Sequence, residues 1–358
     1  MLYREAGQFK TSYAADQSIF PLLQDRIGIL VILFIGFVII PLTASNFILS
    51  SIMIPFLIYS LAAIGLNILT GYAGQLSLGT GAFMGVGAYA CYKLTSIFPD
   101  ANIIVLVLTS GVFAAGIGVV FGLPSLRIKG FYLAITTLAA QFFLEWAFIR
   151  VAWLYNYNPS GAIEVPRRMV LDTAVTGPSA TPLTRYLIVL SLVAVLTWLA
   201  SNLVRGRIGR SWMMVRDMDI AAELMGIRML RTKLMAFAVS SYYCGVAGAM
   251  LVFFWYGAAE PSAFSIRVSF LVLFMIIIGG LGSLMGSFLG AAFISSLPVL
   301  LRYLPESVGL RIGAATVEHV TVMIIGALII IFLIAEPHGL ARLWQIGKQK
   351  LRVWPFPY

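Results

Sequence analysis

Charged residues are scarce in this chain. They make up 11% of its 358 residues, whereas soluble domains carry about 25%. Hydrophobic residues make up 60%, the mean hydropathy is +0.96, and residues 27–92 contain no Asp, Glu, Lys or Arg. A hydrocarbon core of about 30 Å requires about 20 apolar helical residues, so that stretch alone predicts about three crossings. The composition argues against a soluble domain and indicates a membrane protein.

Cysteine and histidine are nearly absent. Cys91 and Cys244 lie in apolar segments without CxxC spacing, which favours a packing role. His319 and His338 stand at segment ends, and no Cys, His, Asp or Glu cluster has the spacing of a metal site. No G-x-x-x-x-G-K-[ST] phosphate loop is present. We therefore expect no metal, no cofactor, no catalytic residue and no ATP site.

The apolar segments predict an all-α polytopic membrane protein with about ten transmembrane helices. Two apolar runs are too long for one crossing. Residues 268–301 carry no charge and would extend about 51 Å as one helix, so we expect a break at the glycine-rich stretch 279–282. The same arithmetic predicts a break at 71–74. The ten segments are 27–45, 47–69, 78–97, 101–123, 131–149, 186–204, 234–257, 268–280, 283–301 and 318–335.

Basic residues predict the orientation. They concentrate in the loop 205–233, in the tail 336–358 and at Arg127 and Lys129. Because cytoplasmic loops carry an excess of Lys and Arg, all three lie in the cytoplasm, as does the segment 1–26. Residues 27–335 then form the transmembrane domain, both termini are cytoplasmic, and the loop 150–185 is external. This distribution does not form a nucleic-acid patch, despite the net charge of +10.

Residues 216–227 predict a short amphipathic helix in the 205–233 loop. Asp219 is suited to cap its N-terminus, and Gly226 suits the left-handed position after its end. Asp217 and Glu223 lie on the polar face, and the spacing predicts one apolar face made of Met214, Met218, Ala221, Ala222 and Met225. Such a helix either docks in another protein's groove or lies on lipid headgroups, and the spacing alone does not choose.

Several stretches between about residues 60 and 340 resemble one protein family. Ala221, Ala222, Glu223 and Gly226 resemble the coupling loop of ABC-importer permeases, which contacts the nucleotide-binding subunit. The stretches GLNILTGYAGQLSLG (65–79), LRIKGFYLA (126–134), GGLGSLMGSFLGA (279–291) and EPHGL (336–340) resemble the M-type permeases of branched-chain amino acid importers. The resemblance assigns ATPase coupling to Asp217, Ala221, Ala222, Glu223 and Gly226.

The resemblance also implies partners and a location. The partners are ATP-binding subunits, a second homologous permease forming a heterodimer, a periplasmic substrate-binding protein and the lipid bilayer. The location is the bacterial inner membrane, and the cargo is branched-chain or related amino acids. Urea, amide and aromatic-acid permeases are alternatives, because the external loop departs from the family pattern at 156–161 and 164–168.

The glycine-rich stretch 71–79 predicts part of the substrate pathway, with Gly71, Tyr72, Gln75, Ser77 and Gly79 as its residues. Non-helical backbone at membrane depth is tolerated where it is buried in protein or lines a polar path. Side chains such as Gln75 and Ser77 offer hydrogen bonds to a zwitterion. The alternative is close helix packing, which small residues permit.

Glu145 is the one acid well inside an apolar segment, and acids in that setting are functional candidates. Arg150 follows closely, so an interfacial ion pair is the alternative.

Three other functions compete with an ABC-importer permease: a secondary transporter, a passive channel and an intramembrane enzyme. A secondary transporter usually requires several mid-membrane carboxylates, and only Glu145 is available. A passive channel would leave the 205–233 loop without a purpose. An intramembrane enzyme would require a nucleophile–base pair or a metal cluster. The sequence therefore favours a transport subunit that is not an enzyme.

Overall fold

The structure, a computed structural model, describes residues 11–12, 23–125, 132–158, 161–170, 173–177, 180–307, 314–335 and 339–353. Some features used in the sequence analysis lie outside these residues: most of the 1–26 segment, Arg127 and Lys129, and residues 336–338 with His338. The described chain is predominantly helical, as predicted.

The helices follow one another with short connections. In chain order they are α1 (Leu23–Phe34), α2 (Ile40–Thr43), α3 (Asn46–Ile48), α4 (Ile54–Asn67), α5 (Thr80–Ile97), α6 (Ile103–Ser125), α7 (Tyr132–Arg150), α8 (Pro182–Arg205), α9 (Arg207–Asp217), α10 (Asp219–Leu224), α11 (Met229–Met250), α12 (Ile266–Gly279), α13 (Leu284–Ser307), α14 (Ala314–Ala335) and α15 (Gly339–Val353). Turns of π-helix join or extend some of them, at Ile35–Ile39, Leu49–Met53, Ile68–Tyr72 and Leu251–Tyr256.

Eight helical stretches among the described residues are long and apolar enough to cross a membrane. They are Arg26–Thr43, Asn46–Tyr72, Ile103–Pro124, Leu133–Arg150, Pro182–Arg205, Met229–Tyr256, Pro261–Gly279 and Leu284–Leu301. The other two predicted segments, 78–97 and 318–335, are also helical and correspond to α5 and α14. The polytopic helical fold is confirmed, while the membrane side of each loop stays a prediction.

Both predicted breaks are present. After the π turn Ile68–Tyr72 the chain is not helical again until α5, and we call residues 73–79 the first break. Between α12 and α13 lies the second break, residues 280–283. Gly74 and Gly282 have φ of +67° and +74°, a region that glycine enters without the steric cost that a Cβ brings.

The half-helices α5 and α12 begin within the bundle. With 14 residues, α12 extends only about 21 Å, less than the roughly 30 Å of the hydrocarbon core. Its first turn meets that of α5, where the Gly81 N–H donates to Ser269 Oγ at 2.8 Å. Both residues are buried. The first break therefore brings non-helical backbone into the buried interior.

Helix α11 lies at the centre of the bundle. Of 18 consecutive residues within Met229–Tyr256, 83% are buried, whereas residues 26–43 are mostly exposed and only Gly36 among them is buried. Glycines allow its close approach to α5, since a Cβ at Gly248 would collide with the Met84 carbonyl and one at Gly87 with Gly245. Small residues at such crossings are typical of membrane helix packing.

The 150–185 loop and the 205–233 loop lie at opposite ends of α11. Strand β1 (Ile163–Glu164) of the first loop pairs antiparallel with β4 (Ala258–Ala259). Strand β4 comes directly after the π turn at the C-terminal end of α11. Strands β2 (Met169–Val170) and β3 (Thr173–Ala174) form a second pair. The Arg168 guanidinium donates to the Thr95 carbonyl near the end of α5 at 2.6 Å. The loop is therefore fixed to that end of the bundle.

Candidate functional site

Asn67, the last residue of α4, connects the end of that helix to the second break. Its Nδ2 donates to the Ser283 carbonyl at 2.8 Å and to Ser287 Oγ at 2.9 Å. Its Oδ1 accepts from the Gly282 N–H at 2.9 Å. Asn67 is completely buried, and an unmade bond to a buried polar group costs about 1–3 kcal/mol. This side chain therefore holds the second break against the end of α4.

Gly71 and Gly79 lie in tight packing sites. A Cβ at Gly71 would collide with the Asn67 side chain and the Gly282 backbone nitrogen. One at Gly79 would lie 2.9 Å from the Thr137 carbonyl oxygen. Both contacts favour the packing interpretation for these two glycines.

The N-terminus of α5 is capped by side chains of other helices. Ser269 accepts from Gly81, and Gln141 Oε1 accepts from the Ala82 N–H at 2.8 Å. Ser269 Oγ also donates to Gln141 Oε1 at 2.9 Å, and Gln141 Nε2 donates to the Phe264 carbonyl at 2.7 Å. The protein's own groups therefore accept from these two amides, which as free N–H groups at a helix N-terminus would attract an anionic group.

The remaining predicted pathway residues have different surroundings. Ser77 Oγ accepts from the Gly79 N–H at 3.4 Å, a local turn contact, and Tyr72 is buried at the end of its π turn. Gln75 is buried, and among the described residues neither atom of its amide has a hydrogen-bond partner. Thr80 Oγ1 is likewise buried without a hydrogen-bond partner among the described residues. Of the predicted set, Gln75 has the clearest unused hydrogen-bonding capacity.

A polar cavity of about 380 Å³ joins the first break to the 205–233 loop. Gln75 and Gly74 line it from the break, and Lys233 lines it from α11. The rest of its lining comes from residue 73 and from residues 215–220. The cavity therefore brings Gln75 of the predicted pathway and Asp217 of the predicted coupling residues to one place.

The predicted short helix is present as α10, with two corrections. Asp219 is its first residue rather than its cap, and its Oδ1 accepts from the adjacent Ile220 N–H at 2.8 Å. The residue before the helix is Met218. At the other end, Gly226 has φ +86° and donates to the Glu223 carbonyl, as the Schellman arrangement requires.

The apolar face of α10 also differs from the prediction. Ala222 is buried, whereas Met218 and Met225, which directly precede and follow the helix, are 70% and 71% exposed. Ile220 and Leu224, which the spacing argument omitted, are 68% and 84% exposed. These four exposed side chains form what we call the docking patch: Met218, Ile220, Leu224 and Met225.

Arg216 is the residue that the sequence analysis missed as part of the site. Its Nη1 donates to the Gly71 carbonyl at 2.7 Å, and its Nε donates to Asp217 Oδ1 at 2.8 Å. In the sequence it is one of several cations in the 205–233 loop. Its position shortly before α10 was the one sign of a role in the site, but its partner Gly71 lies 145 residues away in the chain.

Glu145 does not form the ion pair that was one of its two interpretations. Within the described residues no salt bridge joins it to Arg150. The two residues are five apart on α7, so they do not share the i,i+4 or i,i+3 spacing of a helical pair. A functional role for Glu145 stays a prediction.

Comparison with known proteins decides the family. Residues 48–333 match the family described as the permease component of branched-chain amino acid transport systems. The chain belongs to this family. The matched range includes both breaks and the whole 205–233 loop, so the residues of the candidate site are all within it.

Two curated relatives carry the M-type name that the motifs indicated. This permease is 29% identical over 307 residues to the high-affinity branched-chain amino acid transport system permease protein LivM of Escherichia coli strain K12. It is 27% identical to LivM of Salmonella typhimurium strain LT2, and each match covers 79% of this chain and 68% of the relative.

A solved structure, PsaBC from Streptococcus pneumoniae in complex with Fab, matches at 14% identity. The match covers 86% of this chain and 98% of that one, with a TM-score of 0.41. A score that low carries no argument about this permease.

Family membership and the apolar helices together place the permease in the inner membrane as a multi-pass transport protein. No group of three or more His, Cys, Asp or Glu able to hold a metal occurs in the part of the chain that the structure describes.

Proposed function

We propose that this permease is the transmembrane subunit of an ABC importer and that a separate subunit hydrolyses the ATP. The docking patch carries the proposal. Leu224 on α10 and Met218 directly before it are large apolar side chains, more than two-thirds exposed, outside the membrane-spanning stretches. Flexible apolar side chains displayed on a short helix fit a groove in a partner protein. The family motif around Ala221, Ala222 and Glu223 supports an ATP-binding subunit as that partner.

The proposed cargo is branched-chain or related amino acids. Support comes from the family and from the two LivM relatives, whose names state branched-chain amino acid transport. Urea, amides and aromatic acids are the other cargoes to test.

The further partners proposed are a second homologous permease and a periplasmic substrate-binding protein. The 150–185 loop, which is fixed to the bundle through β1 and Arg168, offers a stable surface for the binding protein. The cavity beside Gln75, on the opposite end, is the proposed exit of the pathway. A zwitterion there would meet the Gln75 amide, which has no hydrogen-bond partner among the described residues. It would also meet Lys233, Asp217 and Asp219, which supply both signs of charge.

The test is reconstitution in vesicles with the ATP-binding subunits, the second permease and the binding protein. The chain alone should hydrolyse no ATP, and the complex should show substrate-stimulated hydrolysis with uptake of leucine, isoleucine or valine. The uptake panel includes urea, short amides and aromatic acids. Hydrolysis by the isolated chain, or uptake that persists without ATP, would contradict the proposal. Uptake of urea alone would reassign the cargo.

A further inference from the structure

Arg216 precedes α10 in sequence, yet its side chain reaches the membrane-spanning helices. Its Nη1 lies 2.7 Å from the Gly71 carbonyl oxygen, and its Nε lies 2.8 Å from Asp217 Oδ1. Two bonds from one planar guanidinium fix its orientation, which a lysine ammonium does not reproduce. The side chain is 37% exposed, so its charge remains partly hydrated.

The Gly71 carbonyl is at a position that needs a donor. It lies in the π turn Ile68–Tyr72, where the helix stops. The N–H of Ala73 donates to Ile68 and that of Gln75 donates to Leu69, so both are committed to other carbonyls. The last carbonyls of a helix lack partners within it and carry partial negative charge. The guanidinium supplies both the hydrogen bond and the opposite charge.

The same side chain touches both breaks. A Cβ at Gly74 would lie 2.7 Å from Arg216 Cγ, and one at Gly282 would lie 3.3 Å from Arg216 Nη1. The second break is also tied to the end of α4 by Asn67, which bonds to Gly282, Ser283 and Ser287. A displacement of Arg216 would therefore act on the ends of α4 and α12 at once.

The middle of α9 is held in place, whereas its C-terminal end leads into the docking patch. Trp212 is fully buried and its Nε1 donates to the Thr232 carbonyl of α11 at 3.1 Å. Arg216 lies one helical turn beyond this anchor, in the last turn of α9 and three residues before α10. Its bond to Gly71 and its contacts at Gly74 and Gly282 give a shift of α10 a route to the two breaks.

We propose that Arg216 is a positioning residue for transport: it transmits the displacement of α10 to the first and second breaks. The proposal rests on the proposed function, since it assumes that a partner moves α10. Removing the guanidinium should leave the partner bound and ATP hydrolysis intact. The displacement of α10 should then no longer be transmitted to the two breaks.

The test measures uptake and ATP hydrolysis in the same vesicles containing the complete importer. For Arg216→Gln we expect the amount of amino acid taken up per ATP hydrolysed to fall about tenfold or more, the scale of a lost charged hydrogen bond. Hydrolysis and the amount of assembled complex should stay within about twofold of wild type. Arg216→Lys keeps the charge but not the two-pronged geometry, so its ratio should be intermediate.

The matched control is Arg210→Gln, an exposed cation on the same helix, which should leave the ratio unchanged. An unchanged ratio in Arg216→Gln would overturn the proposal, as would loss of assembly in both the Gln and Lys variants, which would make Arg216 purely structural. If only the Gln variant fails to assemble, the uptake per ATP of Arg216→Lys decides: a lowered ratio supports the proposal, and an unchanged ratio overturns it. Absence of ATP-dependent uptake in the wild-type complex would instead contradict the proposed function, so the two failures are distinct.

Discussion

At the scale of single residues, the permease depends on a few backbone positions and polar side chains. Gly226 ends α10 with a positive φ, Asn67 joins the end of α4 to the second break, and Arg216 contacts both breaks from the end of α9. Sequence reasoning predicted Gly226 because its requirement is local. It did not predict the bonds of Asn67 and Arg216, because their partners are far away in the chain.

Gly226→Ala tests the local requirement. No atom of the described residues lies within 4 Å of a Cβ placed there, so the strain comes from the positive φ, at a cost of about 1–2 kcal/mol. We expect normal insertion but uptake reduced several-fold, as α10 loses its end. Uptake in cells is measured together with the amount of complex.

Two substitutions control the Gly226 experiment. Gly226→Asn should retain more uptake, because Asn tolerates the left-handed region. Gly347→Ala, at an equally open position without a positive φ, should behave as wild type. Equal uptake by Gly226→Ala and Gly347→Ala would show that this backbone conformation has no role.

Glu223→Arg distinguishes docking on a protein from lying on lipid. Glu223 is exposed on α10 beside the docking patch. If α10 docks on an ATP-binding subunit, reversal of the charge should lower uptake at an unchanged level of inserted permease, and Glu223→Gln should lower it less. If α10 lies on headgroups, Arg should strengthen attraction to anionic lipids, and uptake should persist. Normal uptake by Glu223→Arg would remove the docking role.

At the scale of elements, the helices are held together by close approaches and by polar contacts. Helix α11 meets α5 through glycines, and the first turns of α5 and α12 meet through Ser269 and Gln141. Apolar burial contributes little between helices in lipid, because the surrounding tails are equally apolar. Close packing and interhelical hydrogen bonds therefore carry much of the association.

Gly248→Ala should disrupt the contact between α11 and α5. The added Cβ would collide with the Met84 carbonyl, a backbone atom that cannot rotate away, so we expect a loss of about 1–3 kcal/mol or more. The measurement is the unfolding temperature of the purified permease in detergent. Gly116→Ala on α6, with no atom within 4 Å, is the control and should leave that temperature unchanged or slightly raised. Equal temperatures for both variants would contradict the packing role of Gly248.

At the scale of the whole molecule, the two ends of the bundle differ. One end carries α10, the docking patch, both breaks and the cavity at Gln75. The other carries the short strands and Arg168. The positive-inside rule predicts that the first end is cytoplasmic, and that assignment is open to direct measurement.

Cysteine labelling in intact cells tests this orientation. Ile220→Cys and Gln345→Cys should react only with reagents that enter the cytoplasm, and Met169→Cys should react from outside. The native Cys91 and Cys244 are 0% and 1% exposed, so they should contribute little background, and wild type is the control. Reaction of position 220 with an impermeant reagent would overturn the topology.

The sequence by itself determined the helices, their breaks and the family. A crossing requires about 20 apolar residues, and glycines end a helix where an apolar run is longer than one crossing. A short helix with a glycine after its C-terminal end is encoded within a dozen residues. Each of these is decided by neighbours in the chain, so composition and spacing suffice to predict it.

Only the tertiary structure decided how the site is joined. Asn67 bonds to Ser287 across 220 residues and Arg216 to Gly71 across 145. The tertiary structure also buries Ala222 and leaves Ile220 and Leu224 exposed. Local periodicity fixes which residues share a helix face but not which helices meet, because that depends on the packing of the whole bundle. The link between α10 and the two breaks therefore exists only in the folded protein.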